Sequence, residues 1–349
     1  MASEAVSCRN DIVVELAAPI TLDAVAPDDE RALRDWFAVL TAAQAHDVPT
    51  DPPPCWVEHR ARLVATDPGY TETAWLARTG AGEAVGVAVL ALPMLDNPEV
   101  ALAELVVVPR HRRRGIGRML LRRFGDAARA AGRARLIIEA REPLNEPGPA
   151  PAFLAAAGGR KALADQRRRL TLPPADLSRL EAEARAAAAG YDLVRWTGDT
   201  PPEWLDDMAA LKARMSTDPP LDDLNYGPER YDADRIRALD AARAARGVLR
   251  TVTAARSPGG RLVAYTDIFQ TTSVAWHAQQ GDTLVAPTHR GRRLGMLVKL
   301  ANLECVLQQS PEMRVIDTYN ADSNPWMVSI NEAMGYRPYD RLGEWEIDL

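Results

Sequence analysis

The sequence predicts an α/β protein made of two tandem domains of one kind, and three observations predict it. A nine-residue turn occurs twice. It reads Pro109-Arg-His-Arg112-Arg-Arg-Gly115-Ile-Gly117 and then Pro287-Thr-His-Arg290-Gly-Arg-Arg293-Leu-Gly295, with five of nine positions identical and an offset of 178 residues (290 − 112) in a chain of 349. Each copy follows an apolar strand-like run and opens a helix-like run. An internal repeat is read before anything else, because it fixes the architecture. The length is enough for two separate hydrophobic cores.

The elements follow in order. Residues 12–16 read as an opening strand. Residues 28–45 carry helical spacing in Leu33, Trp36, Phe37 and Leu40. The prolines at 52–54 mark a loop. Residues 85–92 and 101–108 are two strands joined by a turn at 96–99. After the first copy of the turn, Met119, Leu120, Phe124, Ala127, Ala128 and Ala131 line one helical face, which Gly132 stops. Residues 136–138 are a buried strand. The first domain closes with 169–172, and 175–189, rich in Ala, Glu and Arg, forms a helical linker. Residues 191–196 open the second domain. There the strands at 262–269 and 283–286 precede the turn, and Leu294, Leu297, Leu300, Ala301, Val306 and Leu307 line the helix. Strands at 315–319 and 344–348 complete it. The expected domains are 1–174 and 190–349, with the linker between them.

Composition excludes several classes. A net charge of −6 argues against nucleic-acid and anionic-membrane partners. The longest apolar run, 84–95, contains Pro93 and is too short to span a bilayer. Cys8, Cys55 and Cys305 are scattered and odd in number, which fits a reduced, cytoplasmic protein. The five histidines do not cluster with cysteines at ligand spacing, so no metal site is expected.

A turn that enters a helix presents unpaired N–H groups at the positive end of the helix dipole, a geometry that binds phosphate oxygens. Glycine allows close backbone approach, and arginine adds charge-assisted hydrogen bonds. The spacing matches neither the nucleoside-triphosphate loop nor the dinucleotide fingerprint. Arg112-x-x-Gly115-x-Gly117, after a strand ending in Val-x-Pro, resembles the signature of the GNAT superfamily of acyl-CoA-dependent N-acyltransferases, in the tandem type to which mycothiol synthase belongs. The resemblance implies two mixed, largely antiparallel sheets flanked by helices. It implies acetyl-CoA or another acyl-CoA as cofactor and a small-molecule primary amine as acceptor. A peptide amine acceptor, or a non-catalytic acyl-CoA-binding scaffold, stays open as an alternative. Oligomeric state is not legible.

The resemblance also assigns residues. Val106, Val107, Val108, Arg112, Arg113, Arg114, Gly115, Ile116, Gly117 and Arg118 form the first cofactor site. Leu284, Val285, Arg290, Gly291, Arg292, Arg293, Leu294 and Gly295 form the second, with arginine where the first glycine belongs. Asn320 and Asn324 either contact the pantetheine arm or cap a helix. Glu104 and Asp282, each five residues before its proline, are candidate bases. The family's acid tyrosine falls on Asn331 and Leu154, neither a useful acid, which leaves Tyr319 and Tyr336 as stand-ins. The polar groups around the second groove place the chemistry in the C-terminal half.

Overall fold

A computed structural model describes residues 19–64, 69–145 and 148–349. The strand expected at 12–16 lies outside them. The first half runs β1 (Thr21–Ala24), α1 (Glu30–Asp47), α2 (Trp56–Val64), β2 (Tyr70–Arg78), β3 (Ala84–Pro93), β4 (Val100–Val107), α3 (Ile116–Ala130), β5 (Arg135–Pro143), α4 (Pro149–Ala156) and β6 (Arg160–Thr171). After α5 (Ser178–Ala187) the same order repeats: β7 (Asp192–Thr197), α6 (Leu205–Met215), α7 (Ala233–Ala245), β8 (Val248–Arg256), β9 (Leu262–Thr271), β10 (His277–Val285), α8 (Leu294–Gln309), β11 (Val315–Ala321), α9 (Pro325–Ala333) and β12 (Arg337–Asp348). The duplication expected from the two turns therefore extends through every element.

Local chemistry explains the main helices. Asp29 caps α1 by accepting the Ala32 N–H at 2.9 Å, and Leu33, Trp36, Val39 and Ala43 are its buried face. In α3, Ile116, Leu120, Phe124 and Ala128 recur every four residues and are buried, while Arg118, Arg122 and Arg129 face outward. Helix α8 is buried nearly all round from Leu294 to Leu303. Ala184 and Ala188 belong to the same core as α8, so the linker helix covers what would otherwise be its solvent side.

All twelve strands form one sheet in the order β1-β2-β3-β4-β5-β12-β6-β11-β10-β9-β8-β7. The order is a palindrome of the two halves with their last strands exchanged. β12 pairs with β5 of the first half, and β6 pairs with β11 of the second. Side chains select this pairing. Arg167 and Arg169 lie on one face of β6, two residues apart. Arg169 donates to Asp317 on β11 at 2.7 Å, and Arg167 donates to Asp340 on β12 at 2.8 Å and to Asp51 in the loop after α1 at 2.7 Å. The ring of Tyr339 lies over both guanidinium groups. Opposite charges on facing strands favour these neighbours over a self-contained sheet in each half.

Burial pushes the Asp317 carboxyl up, but its bonds to Arg169 and His277 outweigh this and hold it down to about 2. A carboxyl depressed in the folded state contributes stability above its ordinary value of 3.8, and that stability is lost as pH falls toward 2. Urea midpoints measured across that window are expected to fall with acid in the wild type and to fall less steeply in Asp317→Asn.

Candidate active site

Strands β4 and β5 run parallel from Val100↔Arg135 to Ala103↔Ile138, and then separate. Beyond that point lies a cavity of about 1120 Å³. Its walls are the end of β4 (Leu105, Val106, Val107), the turn (Arg112, Arg113, Gly115, Ile116, Gly117, Arg118), β5 and α4. Arg113 and Gly115 carry positive φ of 63° and 85°, which folds the turn back and aims the start of α3 at the cavity. Gly115 is the N-cap and supplies no capping side chain, so the first N–H groups of α3 stay free for a ligand. Gly117 sits 3.5 Å, measured from a notional Cβ, from the Phe153 ring of α4. Arg113 and Arg118 are exposed at the rim, with no carboxylate partner among the described residues. Free N–H groups, unpaired guanidinium groups and a cavity of this volume fit the pyrophosphate and arm of an acyl-CoA.

Arg112 plays a different part. Its Nε donates to the Val107 carbonyl at 3.0 Å, and its Nη1 donates to Asp47 at 2.7 Å. It therefore ties the turn to β4 and to the loop at 47–50, which forms another wall of the cavity. Val108 is 4% exposed and packs against the α1 core rather than lining the cavity. Arg114 is exposed but is not among the lining residues.

A second cavity, of about 390 Å³, opens where the halves meet. It is lined by Glu104 and Glu139 of the first half, Glu344 of β12, and Lys212, Tyr226, Glu229 and Asp282 of the second. Glu139, just past the end of the β4–β5 pairing, is common to the walls of both cavities. Glu104 is held by Arg62 at 2.8 Å. Burial, and then the neighbouring Glu139, Asp165 and Glu346, push the Glu344 carboxyl up to about 7. Asp165 is raised to about 6 by burial and by Asp322 and Asp222. This wall carries more negative charge than its own cations balance.

The turn of the second half keeps the backbone, but its arginines are engaged by neighbouring side chains. Gly291 and Arg293 carry positive φ of 79° and 52° at the places of Arg113 and Gly115, so glycine and arginine have changed position. Arg290 repeats the clamp, donating to Val285 at 3.1 Å and to Asp218 at 2.6 Å. Arg293 donates to Glu183 of the linker helix at 2.7 Å, and Arg292 lies over the Tyr191 ring. Leu284, Leu294 and Gly295 are buried, and Gly295 abuts Ile330.

The sequence-predicted polar groups of the second half are similarly engaged. Asn324 caps α9 by accepting the Met327 N–H. Asn331 is fully buried and donates to Asn320. Tyr336 is 1% exposed in the core, and burial pushes its hydroxyl above the usual phenol range, so the structure removes it from the role of accessible acid. Asp282 lines the junction cavity, yet it accepts from Lys212 at 2.5 Å and Tyr265 at 2.7 Å. Those bonds outweigh the upward push of burial and hold its carboxyl low, which makes it a poor proton acceptor. Sequence reading missed Glu139 and Glu344. The available signal was a carboxylate directly after the apolar run 136–138.

The fold and the turn together define a protein that holds a phosphorylated, acyl-carrying cofactor at a strand–turn–helix unit. Residues 33–148 match the model of the acetyltransferase (GNAT) family. A tandem GNAT protein from the clavulanic acid biosynthesis pathway is 33% identical, with 95% of this chain and 98% of that chain covered at a TM-score of 0.79. The chain belongs to the GNAT family, in its tandem form, and its cofactor is acetyl-CoA or another acyl-CoA. Two more distant structures share the fold. A GCN5-related N-acetyltransferase from Sphaerobacter thermophilus is 16% identical, covering 94% of this chain and 95% of that one, with a TM-score of 0.65. Saccharomyces cerevisiae N-myristoyltransferase with bound myristoyl-CoA is 10% identical, covering 97% and 81%, with a TM-score of 0.59. No curated protein sequence matches the chain. Among the described residues, no helix is long and apolar enough to cross a membrane.

Proposed function

We propose that the chain transfers an acetyl group from acetyl-CoA to a primary amine of a small molecule, and that it does so in its N-terminal half. The observation that carries this reading is that the two cavities share Glu139 as a lining residue, where β4 and β5 stop pairing. The donor lies against the turn at 112–118, with its thioester at the gap. The acceptor enters from the junction cavity and reaches the thioester carbon through the gap. Positioning supplies much of the rate in such direct attack. The acetyl group is preferred because the matching family model is that of acetyltransferases. The carboxylates facing the junction cavity favour an acceptor with cationic nitrogen, and their number favours a second cationic group beside the reacting one. The C-terminal half supplies the far wall of the acceptor cavity and, in β12, the strand that pairs with β5, while Arg293 of its own turn is held by Glu183.

Thiol release from acetyl-CoA, followed with matched monoamines, diamines and neutral alcohols, tests this. Turnover is expected with amines and highest with diamines. Turnover with myristoyl-CoA but not acetyl-CoA would overturn the acetyl reading. Absence of turnover with every amine would overturn the reaction.

A further inference from the structure

The junction cavity holds several carboxylates, but they are not equivalent. Glu104, the acid that the strand pattern points to, is engaged by Arg62, which also binds Glu72. Asp282 is engaged by Lys212 and Tyr265. Glu344 lines only the junction cavity, on the far side of β5 from the gap. Glu139 is the first residue of β5 after its pairing with β4 ends, and it lines the donor and acceptor cavities together. Among the described residues, no side chain hydrogen-bonds or ion-pairs with it.

We infer that Glu139 is the catalytic residue that takes the proton from the acceptor amine, an assignment that rests on the N-terminal half being the acyltransferase site. An alkylammonium carries its proton at neutral pH, since its ordinary pKa is about 10.4. It cannot attack until that proton is removed. The Glu139 carboxylate accepts the proton, and the freed nitrogen lone pair bonds to the thioester carbon. The carbon–sulfur bond then breaks, with its electron pair going to sulfur. The second nitrogen proton passes to the thiolate, which gives amide and free thiol, and protonated Glu139 returns its proton to solvent. The balance is one amide and one thiol formed and one proton released for each ammonium consumed.

The surroundings suit the task. Glu104 on β4, Glu344 on β12, Asp165 on β6 and Asp282 and Glu229 from the second half all face the region, against Arg62 on α2, Arg141 on β5 and Lys212 on α6. Glu139 keeps exposed surface where it faces the two cavities, yet the protein around it displaces bulk water from its carboxyl; that desolvation, and then Glu104 and Asp165, push the carboxyl up, and Arg141 and Arg62 offset this only in part. A raised carboxyl is a stronger base in its ionised form. Because the ionised form is the active one, the rate rises with pH through that raised value.

The test compares two nucleophiles with acetyl-CoA as donor: 1,4-diaminobutane, which is protonated at neutral pH, and hydroxylamine, which is largely unprotonated there. Glu139→Gln is expected to lower turnover of the diamine by about 10²- to 10⁴-fold at pH 7, the range typical of a lost general base. The loss shrinks as pH rises, hydroxylamine turnover changes far less, and calorimetric acetyl-CoA affinity is unchanged. Equal loss with both nucleophiles, an unaltered pH profile or lost acetyl-CoA binding would each overturn the assignment while leaving the transferase reading intact. A wild type that turns over neither nucleophile would instead remove that reading, and this one with it.

Discussion

Gly117→Asp is expected to abolish acetyl-CoA binding while leaving the chain folded. The notional Cβ at this position makes only an ordinary 3.5 Å contact with the Phe153 ring, so the backbone need not move to admit a side chain. The new carboxylate would stand in the first turn of α3, where free N–H groups face the cavity. It would cap those groups itself, as aspartate does at helix starts, and it would repel the phosphates. A loss of at least about 100-fold, or ~2.7 kcal/mol, is expected by calorimetry. Arg290→Ala in the second turn is expected to leave affinity and a stoichiometry of one unchanged, because that guanidinium already serves Asp218 and a backbone carbonyl. Retained binding in folded Gly117→Asp, with binding lost in Arg290→Ala, would move the donor site to the other half.

The second large effect is on stability. Arg167→Met is expected to destabilise the chain by about 3–5 kcal/mol, because it removes a buried guanidinium that three carboxylates share and leaves buried Asp340 with only Arg141, 3.9 Å away. Arg167 is 2% exposed and serves Asp51, Asp340 and Asp317 at once. Methionine fills much of the same volume, so the deficit is one of charge rather than space. The exposed pair Arg185–Glu181 is the control, and Arg185→Ala is expected to cost less than about 1 kcal/mol. Denaturant midpoints measure both. An Arg167→Met variant as stable as wild type would mean that the ion cluster does not hold the exchanged strands in place.

Much of the fold was legible because it is written in local chemistry. The repeated turn, the four-residue spacing of Ile116, Leu120, Phe124 and Ala128, and the stop at Gly132 each act within a few residues. The exchange of β6 and β12 was not legible. Both are ordinary strands by pattern, and their choice of neighbour depends on Asp317 and Asp340 meeting Arg169 and Arg167 across some 150 to 170 residues of chain. The site divides the same way. The turn at 112–118 was legible because it follows a spacing rule, and all of it but Arg114 lines the larger cavity. The polar groups of the second half were not legible as structural, since Asn320, Asn324 and Asn331 look like ligands in sequence and are bonded to each other or to a helix end in space. Glu139 carries no motif. Only the point at which two parallel strands part gives it meaning.

The exchanged strands also set an order on assembly during synthesis. N-terminal regions generally fold first as they emerge. Here the strand that covers the open side of β5, and brings Glu344 beside Glu139, is the last of the twelve to be made. Until residues 337–348 arrive, β5 has an unpaired edge, the kind of surface that recruits other chains. The acceptor cavity is equally unfinished, because part of its wall comes from that strand and part from α6. A half-made chain would therefore hold its first turn but lack part of the wall of the junction cavity, and on the proposed reading transfer would begin only once the whole sheet has closed.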